Sequence, residues 1–368
     1  MKFLVALAVF GGANVYLFAR GFQALPAGWL RRVYCLIFVC VFASFFIGMI
    51  FGDKLPMKLT SALQFTGTSW LFAMIYLTLA ALFFDLLRVG NRIFDFFPST
   101  LLAHYSSVKL SALCFSLIIT CMIFVWGNYH FNRPSVQRPT MKSLKSFTAP
   151  PPRIVVASDI HLGYTIGKKT LEKYVRLINA QNPDAVLLCG DIFDRDLRPV
   201  KSADMAAELR AIKAPLGVFA VLGNHEYYGN SEKLCEYLRE SGIIVLQDSV
   251  VNLNEDVVLV GRDDLSNRNR KDLSELMQNI DRNKFIVLLD HQPYNFDEAV
   301  EAGVDIQFSG HTHDGQAWPI NLIARRIFEK SYGYLRKGAS QFYVTSGLGL
   351  WGPHLRVGTV SEIVVPEF

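Results

Sequence analysis

An apolar run followed at once by Asp-x-His is the sequence feature that most constrains this chain. Residues 155–157 read Val-Val-Ala, which is typical of a buried strand, and Asp159 and His161 come directly after the run. On extended backbone, two side chains that are two residues apart point to the same side. A carboxylate and an imidazole so placed can hold a divalent metal such as Zn, Mn or Fe. One such pair is common by chance, so its meaning depends on the rest of the chain.

Four further strand-like runs end in side chains of the same kind. With the first, the strand tips read Asp159-Ile160-His161, Gly190-Asp191-Ile192-Phe193-Asp194, Gly223-Asn224-His225-Glu226, Asp290-His291 and Gly310-His311-Thr312-His313. Ligands on short loops over a rigid sheet are a common way to build a binding site. We therefore expect these side chains to converge on one metal site.

The C-terminal part of the chain alternates between strand-like and helical patterns. Strand-like runs cover residues 154–158, 185–189, 218–222, 257–260, 285–289, 306–308, 342–345 and 363–365, and amphipathic patterns such as 171–180 and 203–212 lie between the early ones. Most of these runs are apolar throughout, as strands covered on both faces are. The alternation predicts an α/β domain built from layered sheets.

The N-terminal part of the chain is apolar instead. Hydrophobic residues make up 51% of the 368 residues and concentrate before residue 127. Four stretches approach the length of about 20 residues that crosses a bilayer core. They cover residues 3–19, 33–51, 70–87 and 110–126. We predict a transmembrane region of four helices over residues 1–127, rather than a buried helical bundle, and treat the first stretch as a retained helix rather than a cleaved signal peptide.

Basic residues beside these stretches indicate the orientation in the membrane. The loops between the first two and the last two stretches carry Arg20, Arg31, Arg32, Arg88, Arg92 and Lys109, and the other side carries Lys2, Lys54 and Lys58. The positive-inside rule then places both termini outside. Four more basic residues at 133, 138, 142 and 145 remove this bias if they are counted. We expect a multi-pass membrane protein with an outward-facing C-terminal domain.

The segment between the two parts reads as a linker, and the charge balance limits the partners. Residues 128–152 contain Pro134, Pro139 and a Pro-Pro-Pro run, which predicts an extended linker. The net charge of +5 lies mainly near the apolar stretches and in this linker, so we expect no nucleic-acid partner. The six cysteines include no Cys-x-x-Cys pair and predict no disulfide framework.

Taken together, the five tips resemble the calcineurin-like metallophosphoesterase superfamily. Its blocks Asp-x-His, Gly-Asp-x-x-Asp, Gly-Asn-His-Asp/Glu, His and Gly-His-x-His occur here in that order. The flanking residues 289–293 and 347–352 are similar to a membrane-linked bacterial branch related to the YkuE phosphoesterases. The resemblance implies an α/β fold over residues 153–368, arranged as a four-layer α-β-β-α sandwich. This domain would follow the all-α transmembrane region in the chain.

The resemblance also implies a site for two divalent metal ions, Mn, Fe or Zn. The implied ligands are Asp159, His161 and His313 for the first metal, Asn224, His291 and His311 for the second, and Asp191 as the bridge. In a phosphoester hydrolase of this kind, a hydroxide that bridges both metals attacks phosphorus in line. Two cations suit this reaction because phosphoester oxygens are anionic and repel hydroxide.

Three residues around the implied metals receive other roles from the resemblance. His225 would protonate the leaving oxygen or stabilise its charge, and Asp194 would orient His225. A loop cap without a catalytic role is the alternative for Asp194. Arg195 would bind substrate phosphate, as in the Ser/Thr phosphatase branch, although Asp196 replaces the glycine of that branch.

Three more polar residues near the tips are expected to act indirectly or not at all. Glu226 is expected to lie outside the metal ligands, either behind them or in solvent. Asp290 is expected to support a ligand rather than to be one. For His354, a position at the rim of the pocket and a plain surface position are both open, and we favour the surface.

The predicted function is a membrane-anchored dinuclear-metal phosphoester hydrolase, with a leaning towards phosphodiesters. Its partners would be membrane lipids and a phosphoester substrate, a class that includes lipid-linked phosphoesters. One alternative is a lipid pyrophosphate hydrolase of the UDP-diacylglucosamine type, although the soluble bacterial branch of those enzymes carries Arg where His225 stands. The other alternative is a non-catalytic metal-binding scaffold of the same fold.

Overall fold

The computed structural model describes residues 2–368, with side chains described at residue 4 and from residue 7 onward. The chain divides into two compact units, Met1–Trp126 and Gly127–Phe368. The first unit consists of helices, whereas the second contains all the strands among the described residues.

Long apolar helices make up the first unit. They are α1 (Lys2–Ala24), α2 (Trp29–Phe51), α3 (Met57–Phe94), the short α4 (Ser99–Ala103) and α5 (Tyr105–Phe131), with a 3-10 turn at Gly52–Lys54. Within the described residues, three segments are long and apolar enough to cross a membrane, Trp29–Lys54, Met57–Phe94 and Tyr105–Phe131, and each contains one of the predicted stretches. The stretch predicted at 3–19 lies within α1 but falls partly on side chains outside the described set, so the fourth span stays a prediction.

Helix α3 begins well before the predicted stretch at 70–87. Its first turns are polar in sequence, yet Thr60, Gln64 and Thr68 are buried. Thr60 Oγ1 donates a hydrogen bond to the carbonyl of Gly52 at 2.8 Å, and Gln64 Nε2 donates to the carbonyl of Gly48 at 3.4 Å. Polar side chains that donate hydrogen bonds to the backbone of a neighbouring segment are common where helices pack together. A search for apolar stretches therefore misses this part of α3.

The described part of the second unit contains two six-stranded sheets. The first has the order β1-β12-β2-β3-β4-β5 and the second β10-β11-β9-β8-β7-β6. The strands are β1 (Ser135–Gln137), β2 (Ile154–Ala157), β3 (Ala185–Cys189), β4 (Gly217–Val221), β5 (Ile244–Val245), β6 (Ser249–Asn252), β7 (Val257–Gly261), β8 (Phe285–Leu289), β9 (Ile306–Ser309), β10 (Gly333–Lys337), β11 (Ser340–Val344) and β12 (Glu362–Val364). Both sheets are mixed. The eight predicted runs are confirmed as strands.

Helices and short turns connect these strands. They are α6 (Lys168–Asn179), α7 (Leu197–Ser202), α8 (Met205–Arg210), α9 (Asn224–Tyr228), α10 (Ser231–Glu240), α11 (Leu273–Leu276), α12 (Phe296–Glu301) and α13 (Ile320–Ile327), with a 3-10 turn at His313–Gly315. The predicted helix at 171–180 is confirmed as α6. The predicted helix at 203–212 is shorter in the structure, because Asp204 adopts a left-handed backbone with φ 49° and separates α7 from α8.

The prediction of an extended linker over residues 128–152 is wrong for the parts of this segment that form regular structure or are buried in the core. Helix α5 continues to Phe131, which is 1% exposed. Strand β1 then pairs in parallel with β12, and Met141 is fully buried among core residues of the second unit. A three-residue strand at the edge of a sheet has too few residues to show a period in the sequence. The prolines around it are typical of a linker, so the sequence does not reveal that this segment packs against the core.

Parallel pairing is what brings the predicted site residues together. Strands β2, β3 and β4 are parallel neighbours in the first sheet, and β8 and β9 are parallel neighbours in the second. Parallel neighbours end at the same edge of a sheet, so the tips after each group of strands lie side by side. One apolar cluster contains inward residues of both sheets, such as Val156 and Leu187 of the first and Val287 and Phe308 of the second.

Replacing Met141 with alanine tests whether this segment is docked. Deleting a buried methionine side chain should lower the free energy of unfolding by about 2–5 kcal/mol, because a cavity remains. Leu144→Ala, at a position that is 69% exposed, should change it by less than about 0.5 kcal/mol. Thermal unfolding of the purified full chain in detergent measures both. If both variants change the free energy of unfolding by similarly small amounts, residues 128–152 do not pack stably against the core.

Candidate metal centre

Most of the predicted ligands lie on backbone that is unusual for residues other than glycine. Asp159, His161, Asp191, His311 and His313 all have positive φ, between 50° and 70°. This left-handed conformation is uncommon for such residues and costs free energy. It turns the chain sharply just after each strand, so that successive side chains can face one point.

One group of donors forms around the first tip. His161 Nε2 lies 3.1 Å from His313 Nε2, and His313 Nε2 lies 3.6 Å from Asp159 Oδ1. Asp191 Oδ2 approaches the same group, at 3.9 Å from His161 Nε2. Asp159, His161 and His313 therefore form a compact set of three donors that could hold a metal ion.

A second group forms on the other side of Asp191. Asp191 Oδ2 lies 3.2 Å from His291 Nε2, and Asn224 Oδ1 lies 3.3 Å from that same nitrogen. Asn224 Oδ1 also lies 2.7 Å from His311 Nδ1. The structure thus brings all seven predicted ligands to one place, with Asp191 between the two groups.

The donor atoms fit divalent metals by their protonation as well as by their position. The ring nitrogens opposite the donor atoms, His161 Nδ1 and His313 Nδ1, are buried and have no hydrogen-bond partner among the described residues, which is rare for buried polar atoms. Burial lowers the pKa of His161 to about 3 and lowers the pKa of His313 well below its usual value. Both imidazoles are therefore neutral at physiological pH, as metal binding requires.

The two buried aspartates differ in their charge behaviour. Burial, with a smaller effect of the neighbouring Asp191, raises the pKa of Asp159 to about 6 although His291 acts to lower it. Burial also acts to raise the pKa of Asp191, but the close His291, with His225 and His161, lowers it well below its usual value. Asp191 is therefore the carboxylate that stays ionised in the centre of the donor set.

Glu226 lies behind the ligands, which is one of its two expected positions, and joins two of the tips. It is fully buried, and its carboxylate accepts hydrogen bonds from the backbone amides of Asp191 at 3.0 Å, Phe193 at 2.9 Å and Gly223 at 2.7 Å. One side chain therefore fixes the loop after β3 against the loop after β4.

Two further contacts hold ligands from behind. His291 Nδ1 donates a hydrogen bond to the carbonyl of Cys189 at 2.7 Å, which leaves Nε2 facing the donor set. Gly310 lies so close to Ser158 and Asp159 that a Cβ at this position would collide with Ser158 Oγ and Asp159 Oδ2. The glycine before His311 therefore allows the two sheets' tips to approach.

His225 and Asp194 form a pair at the edge of the donor set, where His225 also belongs to a possible metal-binding group with His161 and Asp191. His225 Nδ1 lies 3.0 Å from Asp194 Oδ1, and the His225 ring centroid lies 4.5 Å from that of His161. Burial acts to lower the pKa of His225, but Asp194 and Asp191 raise it to about 9. With no metal bound, the imidazole is therefore protonated at neutral pH.

Three other predictions have different outcomes. Arg195 lies half-buried beside Asp194, and its role in substrate binding stays a prediction. Asp290 is buried, and its carboxylate accepts hydrogen bonds from Arg270 Nη1 at 3.2 Å and Arg262 Nη1 at 3.4 Å, so these bonds join it to two arginines rather than to a predicted ligand. The surface position predicted for His354 is wrong, because its ring stacks on Phe131 with centroids 4.4 Å apart.

Arg356 is a residue of the site region that sequence reasoning missed. Its side chain is fully buried and donates hydrogen bonds to the carbonyls of His313 at 3.0 Å, Ser346 at 2.6 Å and Gly349 at 3.0 Å. It thereby holds the loop after β11 against the tip that carries His313. The sequence signal was a single arginine in a C-terminal stretch rich in glycine and apolar residues.

Comparison with known proteins shows which family the chain belongs to. The model of the calcineurin-like phosphoesterases matches residues 152–315. An uncharacterized metallophosphoesterase of Aquifex aeolicus is 34% identical over 221 residues, which is 58% of this chain and 83% of that protein. The chain belongs to the calcineurin-like phosphoesterase family. It is therefore a metal-dependent phosphoesterase, and the finer likeness to the YkuE-type branch stays a prediction.

Two other members of this family extend the similarity towards the N-terminus. An uncharacterized metallophosphoesterase of Campylobacter jejuni is 28% identical over 98% of this chain and 96% of its own length. A "transmembrane protein with metallophosphoesterase domain" of Danio rerio is 33% identical over 67% of this chain and 60% of its own length. With the apolar helices of the first unit, these similarities indicate a membrane protein.

Gly310→Ala tests whether the close approach of the tips serves metal binding. The added methyl group would displace Asp159, and we expect metal affinity to weaken by about 10-fold or more, as for losses of groups that orient ligands. Equilibrium dialysis followed by elemental analysis measures the bound metal.

Gly167→Ala is the matched control, because a Cβ there meets nothing within 4 Å. It should bind metal as the wild type does. Unchanged metal binding by folded Gly310→Ala protein would contradict a role for this contact.

Proposed function

We propose that the chain is a membrane-anchored phosphoester hydrolase that works with two divalent metals. The observation that carries the proposal is the position of Asp191, whose carboxylate is shared by two groups of donors. Asp159, His161 and His313 would hold one metal, and Asn224, His291 and His311 the other. When bound, the metals would neutralise the phosphoryl oxygens and supply a hydroxide for in-line attack on phosphorus.

The chain's own residues would handle the leaving group. The bond from His225 Nδ1 to Asp194 supports the protonated ring and leaves Nε2 to give its proton to the leaving oxygen. Alkyl phosphoesters have alkoxide leaving groups that need such a proton, and we propose phosphodiesters as the substrate class. Arg195, beside Asp194, would contact a phosphoryl oxygen of the substrate.

The proposed architecture and location follow the sequence predictions. Three apolar clusters, of which one contains residues of both sheets, support a four-layer α-β-β-α sandwich in the region 153–368. The excess of basic residues in two of the loops of the first unit supports an outward-facing catalytic domain in a bacterial inner membrane.

Asp191→Asn tests the central assignment. The amide keeps the shape but loses the shared negative charge, so hydrolysis of bis-p-nitrophenyl phosphate by the Mn-loaded full chain should fall by about 100-fold or more. Chelation of the wild type should abolish the activity, and added Mn should restore it. Asp281→Asn, an exposed aspartate in a turn, is the control and should retain wild-type rates. Metal-independent turnover, or full activity of Asp191→Asn, would refute the proposal.

His225→Gln tests the assignment of the proton donor. For a phosphodiester with an alkyl leaving group, kcat/KM should fall by about 100- to 10,000-fold, because this leaving group needs a proton. For bis-p-nitrophenyl phosphate, whose leaving group departs without one, the fall should be much smaller. Equal losses for both substrates would show that His225 acts in another way.

A further inference from the structure

Helix α13 carries an exposed apolar surface that the proposed chemistry does not use. Leu322, Ile323 and Ile327 are 55%, 58% and 65% exposed, and Trp318, just before the helix, is 48% exposed. We call these four residues the α13 face. The opposite side of the helix is buried through Asn321 and Ala324. Contiguous exposed apolar side chains on a folded domain usually mark a binding surface.

The α13 face is continuous with the mouth of the candidate metal centre. Phe328 ends the helix, and its ring centroid lies 6.1 Å from that of His311 and 5.2 Å from that of Tyr294. Tyr294 is 44% exposed and lies 6.5 Å from the His311 ring. A partner bound on the α13 face would therefore lie next to a predicted metal ligand.

The charges around the face are basic. Arg325 and Arg326 lie in the last turn of α13, and both are exposed. Arg325 forms an ion pair with Asp314 at 2.8 Å, yet its side chain remains 53% exposed. Within residues 317–330 the one acidic side chain is Glu329, which pairs with Lys337 at 2.9 Å. An anionic surface would therefore meet positive charge beside the apolar side chains.

We propose that the α13 face binds the headgroup boundary of an anionic lipid bilayer. Aliphatic side chains flanked by Trp, Tyr and Arg match the composition of helices that lie in this boundary, and basic side chains are attracted to anionic headgroups. A second copy of the chain fits less well, because two basic faces would repel each other. Given the proposed hydrolase function, the substrate class is then a phosphoester carried on a lipid and presented at the bilayer surface.

Quenching of Trp318 by brominated lipids tests the contact in the full chain. The protein is placed in nanodiscs of phosphatidylcholine and phosphatidylglycerol, with or without bromine on the acyl chains near the headgroups. The fluorescence that wild type shows in excess of Trp318→Phe is assigned to Trp318. We expect brominated lipids to quench at least half of it, and Ile323→Ser/Ile327→Ser to reduce this quenching several-fold.

Matched variants and a soluble quencher separate the outcomes. Ile244→Ser removes another exposed isoleucine, on β5, and should leave the quenching of Trp318 unchanged. Nanodiscs of phosphatidylcholine alone should give weaker quenching than the anionic ones. The proposal is overturned if iodide quenches Trp318 while brominated lipids do not. Shielding of Trp318 from both quenchers would also overturn it, because a protein surface would then cover the face.

The same samples distinguish this inference from the hydrolase proposal. Metal-dependent hydrolysis of bis-p-nitrophenyl phosphate by the wild type is measured in the nanodiscs. Lipid quenching of Trp318 without hydrolysis would retain the docking face and reject the enzymatic role. Hydrolysis without lipid quenching would retain the enzyme and reject the lipid-borne substrate class.

Discussion

The carboxylate of Asp191 is the constraint on which the rest of the second unit depends. It lies 3.9 Å from His161 Nε2 in one donor group and 3.2 Å from His291 Nε2 in the other. Its backbone amide is bound by Glu226, and one of its oxygens accepts a hydrogen bond from the amide of His225 at 2.8 Å. A single ionised side chain is thus held from several sides between the two donor groups.

The fold around this point contains several locally unfavourable features that bring the predicted ligands together. Left-handed backbone at Asp159 and Asp191, and buried nitrogens without partners at His161 and His313, each cost free energy. Paired strands buried on both faces and the Glu226 bonds to three backbone amides hold these positions in place. The free energy of metal binding would offset these costs, because metal binding and folding are coupled when a site is formed only in the folded chain.

The sequence was informative wherever a pattern is local. Apolar runs such as 285–289 and motif residues such as Asn224 need only their neighbours to be recognised, and parallel pairing explains why their tips meet. The strands β1, β5 and β6 were missed because they have only three, two and four residues, and β10 was missed because its residues are at most partly buried. Arg356 was missed for another reason. Its hydrogen bonds go to the backbone carbonyls of His313 and Ser346, and a sequence pattern does not show which carbonyls a distant side chain will contact.

Electron paramagnetic resonance of the full chain loaded with Mn tests the central claim most directly. If Asp191 bridges two metals, the wild type should bind two Mn ions per chain and show the exchange-coupled spectrum of a dinuclear centre, and Asp191→Asn should lose that coupling. A spectrum of isolated Mn ions in the wild type, or a single bound ion per chain, would contradict the account.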